Sequence, residues 1–225
     1  MQDERLDPVD SILNSFDFSA IEDMDPGLSE GHHISYDREV PLELRIQDSN
    51  NGPQEVGTLE SIKTKLLVLG EDSNPRHIKL ELTSENDIFF HYINSIDEAS
   101  FNTMQQSQKL MIEFSDLPTI LIRMLNACIK EPHSFLAVLI MSRDGRARLD
   151  FIQNIEYKFI ELLSLDLIAT SEELVRQQIT FRYNTVKSKT AVLKARLQDI
   201  SALVKVKNPS LLLQLQKNPR KTGNK

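Results

Sequence analysis

Five histidines, one cysteine and a run of carboxylates are the side chains of this 225-residue chain best suited to chemistry. His32 and His33, followed by Asp37, offer two imidazoles and a carboxylate, the donor types that hold zinc. They stand in an acidic stretch with no cysteine or further histidine nearby, and no metal site is expected there. His77, His91 and His133 fall on separate strands and loops, where a histidine is expected to be hydrogen-bonded or exposed. Cys128 lies in an apolar helical pattern and reads as a core residue. A lone cysteine excludes a disulfide framework within the chain and suits a reducing compartment. Glu22, Asp23 and Asp25 read as a solvated acidic run. The chain has no G-x-x-x-x-G-K-[ST], no G-x-S-x-G and no C-x-x-C. No catalytic, cofactor-binding or metal-binding residue is assigned, and an enzyme is not expected.

A different chemistry, self-association, is written near the C-terminus. Ile179, Val186, Leu193 and Ile200 recur with a heptad period, and Tyr183, Thr190, Leu197 and Val204 follow four residues behind each. Only Thr190 interrupts this seam. Lys187, Lys189, Lys194, Arg196 and Asp199 cover the rest of the helix, so the narrow stripe is buried only by another helix, as in a coiled coil. The seam is about 40 Å long. Burial of a large apolar side chain is worth about 1.5–3 kcal/mol, against an association cost of about 4–15 kcal/mol. The helix alone is therefore expected to pair weakly, as one of several contacts.

The chain is long enough for one ordinary domain with a helical extension and tails. Residues 1–37 carry ten acids against one base, Arg5, while residues 205–225 carry six bases and no acid. Such ends suit solvation or charged partners. The division expected is an acidic, mostly disordered tail over residues 1–37, a globular head over 38–168, a dimerising helix over 171–206 and a basic tail over 207–225. The longest apolar run, Phe135 to Met141, is too short to span a bilayer, and the N-terminus shows no apolar signal region. Cytosol or nucleus follows by default.

Within the acidic tail, Asp7 and Pro8 start a helical spacing of Val9, Ile12, Leu13 and Phe16. This is either a docking helix for a partner's groove or a transient helix or cap on the head. Strands are expected from Glu39 (Leu42, Leu44, Ile46), at Ile62 to Leu69 and at His77 to Thr83, with a turn at Asn51-Gly52-Pro53. Short polar connections favour antiparallel pairing. Two helices follow, Asp97 to about Gln106 and Leu117 to Ile129, separated by a strand in which Leu110, Ile112 and Phe114 alternate. Phe135 to Met141, Leu149 to Asn154 and Phe159 to Leu167 continue the sheet, the first two joined by the hairpin turn Asp144-Gly145. Ser171 to Glu173 cap the long helix. Strands with an inserted helix pair and an outgoing helix make an α+β head on a stalk.

Residues 79–128 resemble the head domain of the spindle assembly abnormal protein 6 family, the centriolar cartwheel proteins. Leu82-Thr83, Phe89-Phe90, Tyr92, Phe101, Glu113-Phe114 and Pro118 stand where that pattern has them. Val40-Pro41-Leu42 resembles its first strand, and residues 149–167 resemble the block before its coil. The resemblance covers about residues 39–204. It implies a small antiparallel β-barrel or sandwich head with a helix pair and a parallel dimerising helix. It also implies that an apolar knob on a hairpin enters a pocket of a facing head. Tyr157 holds the knob's position, within Ile155-Glu156-Tyr157 where the family usually has Asn-Pro before Phe; the alternative is a tyrosine packed over its own hairpin. The family's spoke helix is far longer, whereas here Pro209 follows closely on Val204; if the 225 residues are the whole protein, the chain more closely resembles the short SAS-six-like paralogues of flagellates and apicomplexan relatives, which associate with basal bodies or the apical complex. Leu211, Leu212, Leu213 and Leu215 form either one more turn or a docking motif.

The function implied is a non-catalytic, self-assembling scaffold of the centriole, basal body or related flagellar or apical cytoskeleton. Its expected partners are a second copy, further copies in a higher oligomer and other centriolar or apical proteins, with no cofactor and no membrane. The alternative is a DNA end-joining scaffold of similar head-plus-coil architecture, with Arg220, Lys221 and Lys225 on phosphates. The same basic tail could bind acidic partners instead, or nothing; nucleic acid is not the expected partner.

Overall fold

The computed structural model of the chain describes residues 19–47 and 57–207. The helix expected around Val9 to Phe16, the Asn51-Gly52-Pro53 turn and the tail residues Pro209 to Leu215, Arg220, Lys221 and Lys225 lie outside them. Among the described residues, 25–179 form one compact unit and 19–24 with 180–207 belong to another.

Residues 25–179 wind seven strands into a closed barrel. They are β1 (His33–Gln47), β2 (Thr58–Glu71), β3 (Asn74–Ser84), β4 (His91–Asp97), β5 (Phe135–Ser142), β6 (Arg146–Ile155) and β7 (Lys158–Ala169), ordered β1-β2-β3-β4-β7-β6-β5 around the wall. Short connections make two antiparallel meanders, β1 to β4 and β5 to β7. Two seams join them. At one, β1 runs parallel to β5, from Leu42 beside Ala137 to Gln47 beside Ser142. At the other, β4 meets β7 only at Tyr92 beside Ala169 and Ile93 beside Ile168. The all-antiparallel expectation is thus corrected at the β1–β5 seam, because the helical crossover after β4 brings β5 back in the direction of β1.

Alternation along the strands fills the barrel: Leu42, Ile62, Leu66, Ile78, Leu80, Leu82, Leu139, Leu149, Phe151, Leu163 and Leu165 are all buried. Two helices follow β4, α2 (Glu98–Gln108) and α3 (Leu117–Lys130); a one-turn helix, α1 (Ser19–Glu22), precedes the barrel. Asp97 and Ser100 form a reciprocal cap on α2, and Phe101 is its buried anchor. In α3, Leu117, Leu121, Leu125 and Cys128 recur on one buried face, which packs over β1 and β5.

The strand expected at Leu110 to Phe114 is absent. Lys109 takes the left-handed conformation and ends α2, and Phe114–Asp116 makes a 3-10 turn. The alternation is real in burial, with Leu110, Ile112 and Phe114 packed on the core and Met111 exposed. No neighbouring strand pairs with the segment; the Ile112 carbonyl accepts from Gln105 Nε2 at 2.7 Å.

β1 starts at His33, upstream of the expected Glu39, and its early residue Tyr36 is in the core. Ahead of it a clasp, residues 25–32, covers the outer face of β2 and β3. This corrects the reading of Asp25 as solvated and of His32 as lying in a disordered stretch. Asp25 is buried, accepts from the Gly27 amide at 2.8 Å and pairs with Lys65. Gly27 packs closely, because a Cβ there would sit 3.0 Å from Leu67 Cδ1 and 3.2 Å from Glu81 Oε2 and those side chains would have to give by a few tenths of an ångström.

α4 (Glu172–Lys207) is the long helix. The Leu174 amide donates to Ser171 Oγ at 3.5 Å, at the cap position expected.

Candidate functional site

The five histidines do not converge on one site. His32, 6 % exposed, donates from Nδ1 to the Ser29 carbonyl at 3.1 Å, which leaves its Nε2 to accept from His77 Nδ1 at 2.9 Å. His77 Nε2 in turn meets Ser95 Oγ at 2.7 Å. Burial, and then the neighbouring His32, lower the pKa of His77. His33 turns instead to Asp72 at 2.9 Å, and Asp37 pairs with Lys63 at 3.3 Å, so the three imagined ligands face three different partners. His91 meets Thr170 Oγ1 at 2.9 Å, and His133 is exposed. Among the described residues no His, Cys, Asp and Glu side chains gather into a metal-holding group. Burial pushes the Cys128 thiol up to about 11, which keeps it protonated and unreactive in the fold.

The hairpin of β6 and β7 turns through Glu156 and Tyr157, with Ile155 paired to Lys158. A register shift between Phe151 and Ile152 bends the ladder below this tip. The Tyr157 ring is 96 % exposed, so it does not pack over its own hairpin, and Ile155, Phe159 and Ile160 beside it are also exposed. Apolar side chains at a strand tip do nothing for the core that carries them. They form a projecting apolar end with a single hydroxyl.

A cleft of about 580 Å³ opens where β4 and β7 part, bounded by α2 and the first turn of α4. Its walls include Ile93, Asn94, Met104, Gln108, Ile168 and Leu174. Because the ladder stops after two residue pairs, side-chain amides take its place. Gln108 Nε2 donates to the Ser164 carbonyl at 2.7 Å while its Oε1 accepts from the Ser164 amide at 2.9 Å. Asn94 Nδ2 donates to the Asp166 carbonyl at 2.7 Å, which orients its Oδ1 the other way. That Oδ1 is buried without a hydrogen-bond partner among the described residues. The cleft has apolar walls at Ile93, Met104, Ile168 and Leu174 set among polar side chains such as Ser100, Thr103 and Asp166. Sequence reasoning did not reach it, since Asn94, Gln108 and Ser164 carry no local signal of their meeting.

On α4, Tyr183, Val186, Leu197 and Ile200 of the heptad seam are exposed, Val186 by 66 % and Leu197 by 64 %. Thr190 is exposed too, while Ile179, Leu193 and Val204 are half-buried. Lys187 Nζ stands 6.0 Å over the Tyr183 ring. No helix among the described residues is long and apolar enough to cross a membrane.

Residues 34–167 match the family described as the Centriolar protein SAS N-terminal domain. A spindle assembly abnormal protein 6 homolog of Xenopus laevis is 32 % identical over 136 residues, 56 % of this chain and 20 % of its own length. The Mus musculus homolog is 25 % identical over 194 residues, 81 % of this chain and 29 % of its own. The chain thus spans less than a third of these relatives. Among solved structures, an N-terminal fragment of Leishmania SAS-6 containing parts of its coiled coil domain aligns with a TM-score of 0.66 at 16 % identity, covering 80 % of this chain and 98 % of the fragment. An N-terminal fragment of Drosophila melanogaster Sas-6, dimerised via the coiled-coil domain, aligns with a TM-score of 0.66 at 18 % identity, covering 86 % and 92 %. These likenesses establish the fold as that of the SAS-6 head.

Proposed function

Because the chain belongs to the family of the Centriolar protein SAS N-terminal domain, we propose that it is a non-catalytic, self-assembling structural part of a centriole, basal body or related flagellar or apical cytoskeleton. The observation that carries this is the presence of two exposed apolar groups on one chain of that family: the Tyr157 hairpin tip, and Tyr183, Val186, Leu197 and Ile200 of the α4 seam. Residues 38–168, together with the clasp and the start of β1 at residues 25–37, are the head in this reading, and residues 171–206 are the dimerising coil.

The seam residues Ile179, Tyr183, Val186, Thr190, Leu193, Leu197, Ile200 and Val204 pair with those of a second, parallel copy. Tyr157 enters the cleft beside β4 and β7 of a facing head, where its hydroxyl donates to Asn94 Oδ1. What supports this cleft is that it carries both apolar walls and, at Asn94, a side-chain carbonyl without a hydrogen-bond partner among the described residues, matching a ring that carries one hydroxyl once the site opens to admit it. Two different interfaces per chain propagate into a ring or filament, and contacts too weak alone succeed together through closure and multivalency.

Leu197→Asp tests the reading, because a charge in the seam is buried without a partner. Sedimentation of the variant is expected to lose helix-mediated dimers and to retain whatever head pairing remains. In cells, a fluorescent fusion is expected in puncta where new basal bodies or apical structures form. Unchanged dimers, or a diffuse signal at that stage, end the proposal.

A further inference from the structure

The ladder between β4 and β7 stops where nothing in its register requires it to. The Thr170 amide donates to the His91 carbonyl at 3.1 Å, and Tyr92 beside Ala169 and Ile93 beside Ile168 continue in the same register. Carried further, that register puts Ser95 opposite Asp166 and Asp97 opposite Ser164. On its other side β4 remains a strand as far as Asp97, which pairs with His77 of β3. Backbone for a longer ladder is therefore present on both strands.

What stands between them is side chain. The Ser164 amide and carbonyl, the two groups a continued ladder would offer to Asp97, are both held by the Gln108 carboxamide, at 2.9 and 2.7 Å. The Asp166 carbonyl, which would face Ser95, is held by Asn94 Nδ2. Ser164 is fixed from the β6 side as well, since its Oγ donates to the buried Asp150 carboxylate at 2.7 Å. The chain path brings Gln108 there. Asp97 leaves the sheet as the cap of α2, accepting from the Ser100 amide at 2.8 Å. Gln108, the last residue of the same helix, returns to the position on β7 that Asp97 gives up. A carboxamide carries one carbonyl and one amino group, so it satisfies a backbone residue on both counts, as a strand neighbour does.

We infer that Gln108 is a positioning residue for head pairing: it stands in for a β4 residue along β7, blocks the ladder from closing and so keeps the cleft wide enough to admit the partner's Tyr157. Without it, β4 and β7 draw in to the ~4.8 Å spacing of paired strands and the cleft is lost. The inference rests on the reading of the cleft as the receptor for Tyr157.

Two readouts test it on the full chain, the first independent of association. With Ser95→Cys and Asp166→Cys in place, a disulfide forms only when the strands reach the roughly 5.5 Å Cα separation of a bonded pair. Adding Gln108→Leu, which keeps the bulk without the hydrogen bonds, is expected to speed closure about tenfold or more, the scale of two lost hydrogen bonds. The second readout is head pairing by sedimentation equilibrium on the Leu197→Asp background, with thermal melts to check the fold. Gln108→Leu is expected to raise the head–head Kd about tenfold or more. Gln108→Glu is expected to pair as weakly near about pH 7.5, because a carboxylate only accepts, and to recover toward the parent as pH falls to roughly 4.5, because the protonated acid again offers one donor and one acceptor. The parent at both pH values corrects for any general effect of acid, and the glutamate variant carries the test alone if the leucine variant does not fold. An unaltered closure rate overturns the inference and leaves the Tyr157 receptor standing. Faster closure with unaltered head pairing overturns that receptor reading, and with it the role of Gln108. A glutamate variant whose pairing tracks the parent's at both pH values shows a side chain that only fills space, which also overturns the inference.

Discussion

Replacing Tyr157 by Ala removes a ring that is 96 % exposed in the single chain, so folding stability is expected to move by no more than about 0.5 kcal/mol. Head pairing is another matter. A buried aromatic side chain is worth about 1.5–3 kcal/mol, and a two-fold contact between heads buries two such rings, so the loss is about 3–6 kcal/mol. At 1.4 kcal/mol per decade this raises the head–head Kd by at least about a hundredfold. Tyr157→Phe separates ring from hydroxyl. It keeps the apolar burial but leaves two Asn94 carbonyl oxygens without donors, for a cost of about 1–3 kcal/mol in all. The measurement is sedimentation equilibrium, supported by concentration-dependent NMR shifts, on the Leu197→Asp background so that only heads can associate. Thermal melts of the same samples check the fold. An Ala variant with unaltered association and an unaltered melting temperature would refute the reasoning at its root. A Phe variant that pairs more tightly than the parent would remove Asn94 from the site.

Three further outcomes are expected. The lowered pKa of His77 means the unfolded chain binds its proton first, so stability is fully present above the ordinary histidine value of 6.5 and falls as pH drops below it through the folded value. Urea unfolding at pH 7.5 and 5.5 should show this slope, at most about 1.4 kcal/mol per pH unit for one proton, and His77→Gln should flatten it; an equal slope in both proteins contradicts the assignment. Lys65→Met leaves Asp25 buried and unpaired and is expected to cost about 3–5 kcal/mol of unfolding free energy, whereas a change below about 1 kcal/mol would show the clasp to be loosely held. Cys128, with its thiol pushed up to about 11, is expected to react with a thiol reagent at pH 8 only as fast as the fold opens, and rapid native labelling would place it at the surface.

Much of the barrel was legible because strand and helix periods are local. Ile62 to Leu69 alternates as a half-buried strand does, Leu117, Leu121 and Leu125 share a helix face, and Asp144-Gly145 marks its hairpin through a glycine at φ 82°. Leu110, Ile112 and Phe114 show the limit of such reading. Their alternation reports which side chains face the core, and it is silent on whether a partner strand exists. The clasp was invisible for a related reason. Asp25 meets Lys65 and His32 meets His77 across about forty residues of chain, and no spacing announces such meetings. The parallel β1–β5 seam was missed because pairing direction depends on the whole crossover. Tyr157 stood out only through resemblance, and the Asn94 carbonyl not at all, since its orphaned state is a property of where the ladder between β4 and β7 stops.

The arrangement of the wall as two meanders has a consequence for synthesis. A ribosome releases β1 to β4 first, and both margins of that half-built cylinder stay bare until later residues emerge: one waits for Phe135–Ser142, the other for Ile168 and Ala169. Closure therefore comes almost at the end of translation of the head, when the root of α4 arrives. Until then the nascent chain offers sticky β margins to any neighbour. Copies translated close together on one messenger are most exposed to mispairing in that interval, before a single stave has locked the vessel.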